Sequence, residues 1–341
     1  MNPRELTTDE ITRETIRFTS AGIECEAWFF AASVGSAFAS DAGVPVVVMA
    51  HGFGGTKDSG LEPYARRLAA AGLAVWAFDY RNFGLSDGTP RQRVSVSAQI
   101  ADYQAAIDAA AAQPGVDPGR IVVWGPSLAG GHVLIVAAER ARRGSPVAAV
   151  IAMVPLVSGP AAGIHHLPQA GAAAMLGSAA RGVGSAVGAR FGRDPVRIPI
   201  VGGPHQRAAL TAPGFAESYH AIAGPSWRNE IDASIGLEIG GYRADRSAPH
   251  VGAPLLVQIA DFDRAAPPHA AAKAAFAGRA EVRHYPCDHF DVFEAIDPAV
   301  FGRAVDHQIR FLTRHLGGPG ERAAGEQGAG EHGAGEHGAG E

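Results

Sequence analysis

The stretch of sequence that decides the fold is Val122-Val123-Trp124-Gly125-Pro126-Ser127-Leu128-Ala129-Gly130-Gly131. Its first residues are apolar and β-prone, and they predict a buried strand that ends in a Gly-x-Ser turn. A serine on such a turn is exposed above the sheet, and the N-terminus of the helix that follows stabilises negative charge. We therefore predict that Ser127 is a nucleophile. The alternative is an ordinary strand–helix turn, because Gly-x-Ser alone is common.

Strands and helices alternate on both sides of this turn. Valine-rich apolar runs predict buried parallel strands, and amphipathic segments that end at glycine or proline predict helices. The predicted strands are Glu14–Ser20, Ile23–Phe30, Val44–Ala50, Leu73–Asp79, Ile121–Trp124, Val147–Val154, Pro254–Ile259 and Glu281–Tyr285. The predicted helices are Leu61–Ala71, Val94–Gln113, Leu128–Arg142 and Pro298–Leu316. This alternation predicts an α/β fold with a mostly parallel central sheet and helices on both faces.

Residues 156–249 interrupt the alternation. A loop of that length inside a compact sheet is unusual, so we predict an inserted, mainly helical cap. Residues 1–155 and 250–316 then form the core. The remaining residues, 317–341, are a repeat of glycine, alanine, glutamate and histidine without large apolar side chains, which predicts a disordered tail.

The composition sets further limits. Of the 341 residues, 47% are hydrophobic and 18% charged, which supplies a large core and excludes a chain that is disordered throughout. The formal net charge is −5, so the chain has no basic excess for nucleic acid, and we expect none as a partner. Two cysteines, Cys25 and Cys287, are too few for a disulfide scaffold or a zinc cluster, and we predict unpaired, buried thiols.

The sequence also predicts a compartment. It holds no run of about 18 consecutive apolar residues, so we expect no membrane span. Residues 1–17 are polar and of mixed charge, without the basic start and apolar core of a signal peptide. We therefore expect the protein to be cytoplasmic.

A serine hydroxyl needs a base, and the base needs an orienting acid. Asp261 and Asp263 follow the strand Pro254–Ile259, and His289 follows the strand Glu281–Tyr285. Loops at the carboxyl ends of neighbouring parallel strands meet at one edge of the sheet, and the order serine, acid, histidine suits this topology. We predict His289 as the base, and we expect Asp261 to cap its own turn through nearby backbone N–H groups.

An oxyanion site is predicted after the strand Val44–Ala50, which runs into His51-Gly52-Phe53-Gly54-Gly55. Flanking glycines free a backbone N–H to point at a developing negative charge. The expected donors are Phe53 N–H and Leu128 N–H; the alternative is a plain turn at the end of a strand.

With these residues in place, the chain resembles the α/β-hydrolase superfamily over residues 14–316. The likeness includes the loop at His51 and the segment Asp79-Tyr80-Arg81-Asn82-Phe83-Gly84-Leu85-Ser86, which usually shapes the site. It implies a serine, acid and histidine at Ser127, Asp263 and His289. The acid of this family is commonly followed by small residues and then proline, as Asp263 is. Two positions depart from the pattern, because Ala129 and Asn82 stand where the family has glycine.

Three functions fit this reading. The first is a serine hydrolase that cleaves a carboxylic ester or related acyl bond of a small molecule through an acyl-enzyme. The second is an acyltransferase or thioesterase on the same residues, because His289-Phe290-Asp291-Val292-Phe293 is similar to a stretch in esterase-like and polyketide-tailoring branches. The third is a non-catalytic binding protein on this fold.

Other chemistries find little support in the chain. Its two lysines, Lys57 and Lys273, lie in a loop and a predicted surface helix, which disfavours a Ser–Lys pair. Phosphate and dinucleotide motifs and clustered metal ligands are missing from the sequence, so we expect no cofactor and no metal. The cap holds few charges, which favours an uncharged, moderately apolar acyl substrate. We expect five cap residues to pack within the cap rather than to line a pocket, namely His165, His166, Tyr219, Trp227 and Tyr242.

Overall fold

A mostly parallel sheet of eight strands organises the computed structural model, which describes residues 11–204 and 206–317. The strand order is β1-β2-β4-β3-β5-β6-β9-β10, with β1, β2 and β4 paired antiparallel and every other pair parallel. The predicted α/β fold is confirmed. The predicted tail lies outside the described residues, apart from Gly317.

The strands of this sheet are β1 (Arg13–Ser20), β2 (Ile23–Phe30), β3 (Val44–Ala50), β4 (Ala74–Phe78), β5 (Val116–Pro126), β6 (Ala149–Met153), β9 (Leu255–Ala260) and β10 (Glu281–Tyr285). The helices around it are α1 (Glu62–Ala70), α2 (Val96–Ala111), α3 (Ser127–Arg142), α8 (Pro268–Ala277) and α9 (Pro298–Leu316). No helix among the described residues is long and apolar enough to cross a membrane.

The centre of the sheet is apolar on both faces. Every residue of β4, β6 and β9 is buried, as expected of parallel strands covered by helices. β5 begins five residues earlier than the sequence predicts, because Val116 pairs with Val44 ahead of the apolar run. Cys25 and Cys287 are buried and unpaired, as predicted.

Helices cover the sheet on both sides. α1 and α9 contact each other on one face, and α2 and α3 contact each other on the opposite face, where α8 also packs. A buried polar network ties α9 to the sheet: Trp124 Nε1 donates to Gln308 Oε1, and Gln308 Nε2 donates to Gln258 Oε1 at 2.7 Å. The side chain of Asp297 caps α9 by accepting from two backbone N–H groups of the first turn.

Residues 156–249, which we call the cap segment, leave the sheet after β6 and return to it at β9. The segment contains α4 (Gly159–Ala170), α5 (Ala172–Arg190), β7 (Arg197–Ile198), α6 (Phe215–Ile222), β8 (Ile231–Asp232), α7 (Ile235–Gly240) and two 3₁₀ turns (Ala244–Arg246 and Ala248–His250). β7 and β8 pair antiparallel, a small sheet that the irregular sequence did not predict. The division of the chain into core and cap stays a prediction.

A buried histidine joins the cap segment to α3. His132 Nε2 lies 3.0 Å from Gln99 Oε1, and because that oxygen only accepts, Nδ1 accepts from the Tyr242 hydroxyl at 2.8 Å. Burial lowers the pKa of His132 from 6.5 to about 3, with a further small reduction from His51. The imidazole is therefore neutral in the folded protein throughout the physiological range.

This pKa predicts a loss of stability in acid. The unfolded chain takes up a proton at His132 below pH 6.5, whereas the folded chain does so only near pH 3, so the stability contribution falls as pH falls through that window. Between pH 7.5 and 4.5 the free energy of unfolding should fall by about 2–3 kcal/mol more in the wild type than in His132→Gln. Urea unfolding of both proteins at each pH tests this, and equal pH dependences would contradict it.

Candidate active site

Ser127 stands at the junction of β5 and α3 with a left-handed backbone. Its φ is +55°, a conformation that costs an L-residue free energy and is kept where the surrounding structure enforces it. The strand and helix meet so closely here that a Cβ on Gly125 would lie 2.5 Å from the carbonyl carbon of Ala129. Glycine at position 125 therefore makes room for the turn.

The same contact explains why alanine is tolerated at position 129, where the family that the sequence resembles has glycine. The Cβ of Ala129 lies 2.8 Å from the point where a Cβ of Gly125 would stand, so a methyl group fits because its neighbour has none. On the other side, a Cβ on Gly52 would come within 3.1 Å of the Ser127 Cβ. The loop after β3 and the serine turn are thus in direct backbone contact.

Asp263 and His289 lie together beyond the ends of β9 and β10. The two strands pair in parallel with Tyr285 opposite Ala260, which brings their following loops side by side. His289 Nδ1 is 2.7 Å from Asp263 Oδ2, and both side chains are about 95% buried, with 5% and 3% of their surface exposed. Asp263 Oδ1 accepts from Ala265 N–H and Ala266 N–H, which fixes the orientation of the carboxylate.

The histidine is tuned by opposing effects. Burial by itself lowers the pKa of His289, but the charge of Asp263 and its hydrogen bond raise it, with a smaller contribution from Asp288. The net result is a pKa above 6.5. An imidazole with a raised pKa and a carboxylate on Nδ1 is suited to take a proton at Nε2.

Asp261 does not cap its turn, and that prediction is wrong. Its Oδ1 lies 2.6 Å from His284 Nδ1 in an exposed pair on the edge strand β10. The turn is capped by Asp263 instead, through the two N–H groups described above. The carboxylate two residues further from the strand end is the one that reaches both the turn and His289.

The loop after β3 is held by residues of the cap segment. Tyr219 donates its hydroxyl to the carbonyl oxygen of Phe53 at 2.7 Å, and Trp227 Nε1 donates to that of Gly54 at 3.1 Å. Within the described residues, Phe53 N–H makes no hydrogen bond. Leu128 N–H belongs to the first turn of α3, where backbone N–H groups have no acceptor inside the helix. Neither predicted donor therefore has an acceptor among the described residues.

A buried ion cluster supports this loop from beneath. Lys57 is fully buried, and its Nζ lies 2.6 Å from Asp79 Oδ2 and 3.0 Å from Glu26 Oε1. Asp79 also accepts from Lys57 N–H and Leu85 N–H, so one carboxylate joins the loop to the segment that resembled the family's shaping motif. These contacts hold the loop in position rather than take part in chemistry, because the three charged groups lie beneath the loop and form ion pairs with one another.

Removing Asp79 is expected to be costly. Asp79→Ala leaves the Lys57 ammonium buried with only Glu26 as counter-charge, and breaking a buried pair typically costs about 3–5 kcal/mol. Asp108, whose pair with Arg140 is largely exposed, is the matched control, and Asp108→Ala should cost at most about 1 kcal/mol. Chemical denaturation of both variants tests this, and similar losses would contradict a structural role for the cluster.

The second departure from the family pattern is also explained by backbone conformation. Asn82 has φ +71°, a left-handed value that glycine adopts freely and that asparagine tolerates better than most residues. Its N–H donates to Asp87 O, which closes the turn. The substitution therefore keeps the shape of the segment.

A cavity of about 790 Å³ lies between the sheet edge and the cap segment. Ser127, His289 and the loop residues His51, Gly52 and Phe53 line one side of it. The remaining wall is mostly apolar. Its larger apolar side chains are Leu61, Leu156, Met175, Ile198, Leu210, Ile222, Ile235, Ile239, Phe290 and Phe293.

The cap residues that were expected to pack within the cap also contact the core. His165 Nε2 lies 3.0 Å from Asp263 O and His166 Nε2 2.9 Å from Ala265 O, so α4 is bonded to the loop that carries the acid. Tyr219 and Trp227 stack on each other with ring centroids 5.0 Å apart and bond to the loop after β3. Tyr242 bonds to His132 on α3. His166 and Tyr219 also line the cavity.

Some of these supporting residues had a signal in the sequence. Lys57 is one of two lysines and follows the predicted oxyanion loop directly, which marks it as unusual in a chain rich in arginine. Asp288, beside the predicted base, accepts from Arg264 N–H and its side chain pairs with that of Arg264, joining the acid loop to the histidine loop. Nothing in the spacing of His165 and His166 indicated that they reach a loop almost a hundred residues away.

Known proteins resemble this chain in both sequence and fold. The family model for the α/β-hydrolase fold matches residues 45–296. The quorum-quenching protein AidA of Acinetobacter baumannii (strain MDR-ZJ06) is 33% identical over 302 residues, covering 88% of this chain and 94% of AidA. The polyketide transferase ATR5 of Stachybotrys chlorohalonatus (strain IBT 40285) is 33% identical over 146 residues, covering 42% of this chain and 45% of ATR5.

Among solved structures, the α/β hydrolase GrgF from Penicillium sp. sh18 superimposes with a TM-score of 0.71 at 21% identity. The superposition covers 89% of this chain and 99% of GrgF. Sheet order, element order, the matched family model and the full-length relative all agree, and the chain belongs to the α/β-hydrolase family.

Proposed function

We propose that the protein is a serine hydrolase that cleaves a carboxylic ester, or a related acyl bond, of a small molecule. The observation that carries the proposal is the 2.7 Å contact between His289 Nδ1 and Asp263 Oδ2 on the wall of the cavity that Ser127 also lines. Acyl transfer requires an oriented base, a nucleophile and backbone donors for the oxyanion. His289, Ser127 and the N–H groups of Phe53 and Leu128 are the residues proposed for these roles.

In this proposal Ser127 Oγ attacks the substrate carbonyl carbon while His289 Nε2 takes its proton. Asp263 keeps the proton of the imidazole on Nδ1 and stabilises the imidazolium that forms. The negative charge on the carbonyl oxygen is accepted by Phe53 N–H and Leu128 N–H. His289 then gives its proton to the leaving group, and the acyl group stays on Ser127.

Water completes the reaction. His289 removes a proton from a water molecule, which attacks the acyl-enzyme, and the second tetrahedral species collapses to release the acid and free Ser127. The relatives agree with an activity of this class: AidA is named for quorum quenching and ATR5 for polyketide transfer.

The second candidate is acyl transfer, in which an alcohol, amine or thiol replaces water as the group that attacks the acyl-enzyme. ATR5, named a polyketide transferase, favours it, as does the predominantly apolar wall of the cavity. Hydrolysis and transfer use the same residues and differ in what attacks the acyl-enzyme. Product analysis with added alcohols of increasing length separates them, because a transferase yields a new ester at the expense of free acid.

Labelling with a serine-directed fluorophosphonate tests whether the site is catalytic at all. The wild type should be labelled at Ser127, and peptide mass analysis should locate the adduct there. A panel of 4-nitrophenyl esters and thioesters of different chain length then identifies the bond. If the phosphonate labels neither Ser127 nor any other residue and no ester is cleaved, a non-catalytic binding protein is the better reading.

A further inference from the structure

The cavity beside Ser127 carries positive charge without a balancing carboxylate. Arg181, on α5, and Arg207, before α6, line it, and none of the described lining residues is an aspartate or glutamate. The cap segment has other arginines with no described carboxylate within 4 Å, such as Arg190, but Arg190 is exposed and does not line the cavity. Position, rather than lack of a partner, sets Arg181 and Arg207 apart.

Arg181 is the better placed of the two. It is half-buried, whereas Arg207 is exposed. One of its terminal nitrogens donates to Ser178 Oγ at 3.0 Å, one turn earlier on α5, which anchors the guanidinium on its own helix. Its Nε is shielded from solvent and has no acceptor among the residues that the structure describes. A guanidinium has further terminal N–H donors besides the one bound to Ser178, and these are the groups that a ligand oxygen can engage.

One buried carboxylate of the cap segment already has hydrogen-bond donors of its own. Asp232 Oδ1 accepts from Ser185 Oγ at 2.7 Å and from Ser234 N–H at 2.9 Å. It forms no ion pair with Arg181, although Ser185 lies one turn after Arg181 on the same helix. Within the described part of the chain, no carboxylate forms an ion pair with Arg181, which lines the cavity.

We infer that the cavity takes an acyl substrate whose apolar chain ends in a carboxylate bound by Arg181. This inference rests on the proposed function and names its substrate class. The acyl part remains on Ser127 while the leaving group departs, so the cavity that Ser127 lines would hold the acyl chain. Apolar side chains such as Leu156 and Ile235 line this cavity, and the planar guanidinium matches a carboxylate in geometry and charge.

A carboxylate fits better than a phosphate. One half-buried guanidinium balances a single negative charge, and Arg207, at the exposed edge of the cavity, adds long-range attraction. The inference replaces the uncharged substrate that the low charge of the cap suggested. Counting charges in the sequence missed that two of the arginines line the same cavity.

The test uses matched pairs of 4-nitrophenyl esters. One member is the mono-ester of adipic, suberic or sebacic acid, with a free carboxylate, and the other is the same compound with that carboxylate methylated. In the wild type kcat/KM should be about 10- to 100-fold higher for the free acid at the best chain length. Arg181→Met should bring the ratio close to one, Arg181→Lys should keep part of it, and Arg190→Met should match the wild type.

Two results would overturn the inference: a ratio near one in the wild type at every chain length, or the same ratio in the wild type and Arg181→Met. If no ester is cleaved, the proposed function fails, and binding decides the inference separately. Calorimetry with suberate and dimethyl suberate should show tight binding of suberate alone, weakened about tenfold or more by Arg181→Met. Equal binding of both ligands, no binding of either, or no effect of Arg181→Met would overturn it.

Discussion

Replacing Ser127 by alanine is expected to lower kcat by about 10⁴- to 10⁶-fold while the protein stays folded. The hydroxyl is the only group at the strand–helix junction that can form the acyl-enzyme, and the half-buried side chain contributes little to packing. The left-handed backbone at this position persists with alanine, because the contact between Gly125 and Ala129 enforces the turn. We therefore expect the free energy of unfolding, measured in urea, to change by less than about 1 kcal/mol.

Steady-state kinetics on the best 4-nitrophenyl ester measure the loss. The control is Ser145→Ala, an exposed serine in the turn that follows α3, which should retain full activity. A Ser127→Ala enzyme with more than a few per cent of wild-type kcat on a substrate that the wild type cleaves would exclude Ser127 as the nucleophile. Loss of phosphonate labelling in the same variant gives a second readout that needs no substrate.

Asp263→Asn is expected to lower kcat by about 10³- to 10⁴-fold with the fold retained. The carboxylate accepts from His289 Nδ1 and from two backbone N–H groups, and an asparagine oxygen that keeps the backbone bonds turns its NH₂ group toward the histidine. The imidazole then carries its proton on Nε2, where it cannot act as a base toward Ser127. Asp261→Asn, whose side chain pairs with exposed His284, should keep activity within about twofold.

The pH profile distinguishes orientation from general damage. His289 must be neutral to accept a proton, so kcat/KM falls as pH falls through its pKa, which Asp263 holds above 6.5 despite burial. Without the carboxylate, burial prevails and the pKa drops, so the residual activity of Asp263→Asn should persist to lower pH than that of the wild type. An unshifted acid limb, or an inactive Asp261→Asn beside an active Asp263→Asn, would contradict the assignment of the acid.

The sheet could be predicted because most of its strands are recognisable from their own residues. β2 and β3 have the bounds that the sequence pattern indicated, and so does α9. Periodicity identifies an element when its own residues face a core, and these residues do. The cap segment has less of this signal: its α5 is rich in alanine and glycine, and most of the positions described in it are half-buried or exposed. β7 and β8 have two residues each, too few to show a period.

The candidate site was predictable to a similar degree and for a related reason. Ser127, Asp263 and His289 each follow a recognisable strand, so the parallel topology alone brings their loops together. The contacts that orient these side chains could not be predicted in this way, because they join residues that are far apart in the sequence. His165 reaches Asp263 O across 98 positions, and Tyr219 reaches Phe53 O across 166, and no local pattern encodes such a pairing. The role of Asp261 was misjudged because its partner, His284, lies on another strand.

The bonds between the cap segment and the two loops have a consequence for how such proteins can be recombined. Imidazole groups of α4 hold the carbonyls around Asp263, while Tyr219 and Trp227 hold those of Phe53 and Gly54. The cap segment, which lines much of the cavity, is therefore also bonded to the loops that carry the proposed acid and the proposed oxyanion donor. Under the proposed function, a chimera that exchanges residues 156–249 for those of a relative will keep its turnover only if the donor brings equivalent hydrogen-bond donors to both loops. Substrate specificity and catalytic rate would then depend on the same segment, and exchanging it would change both.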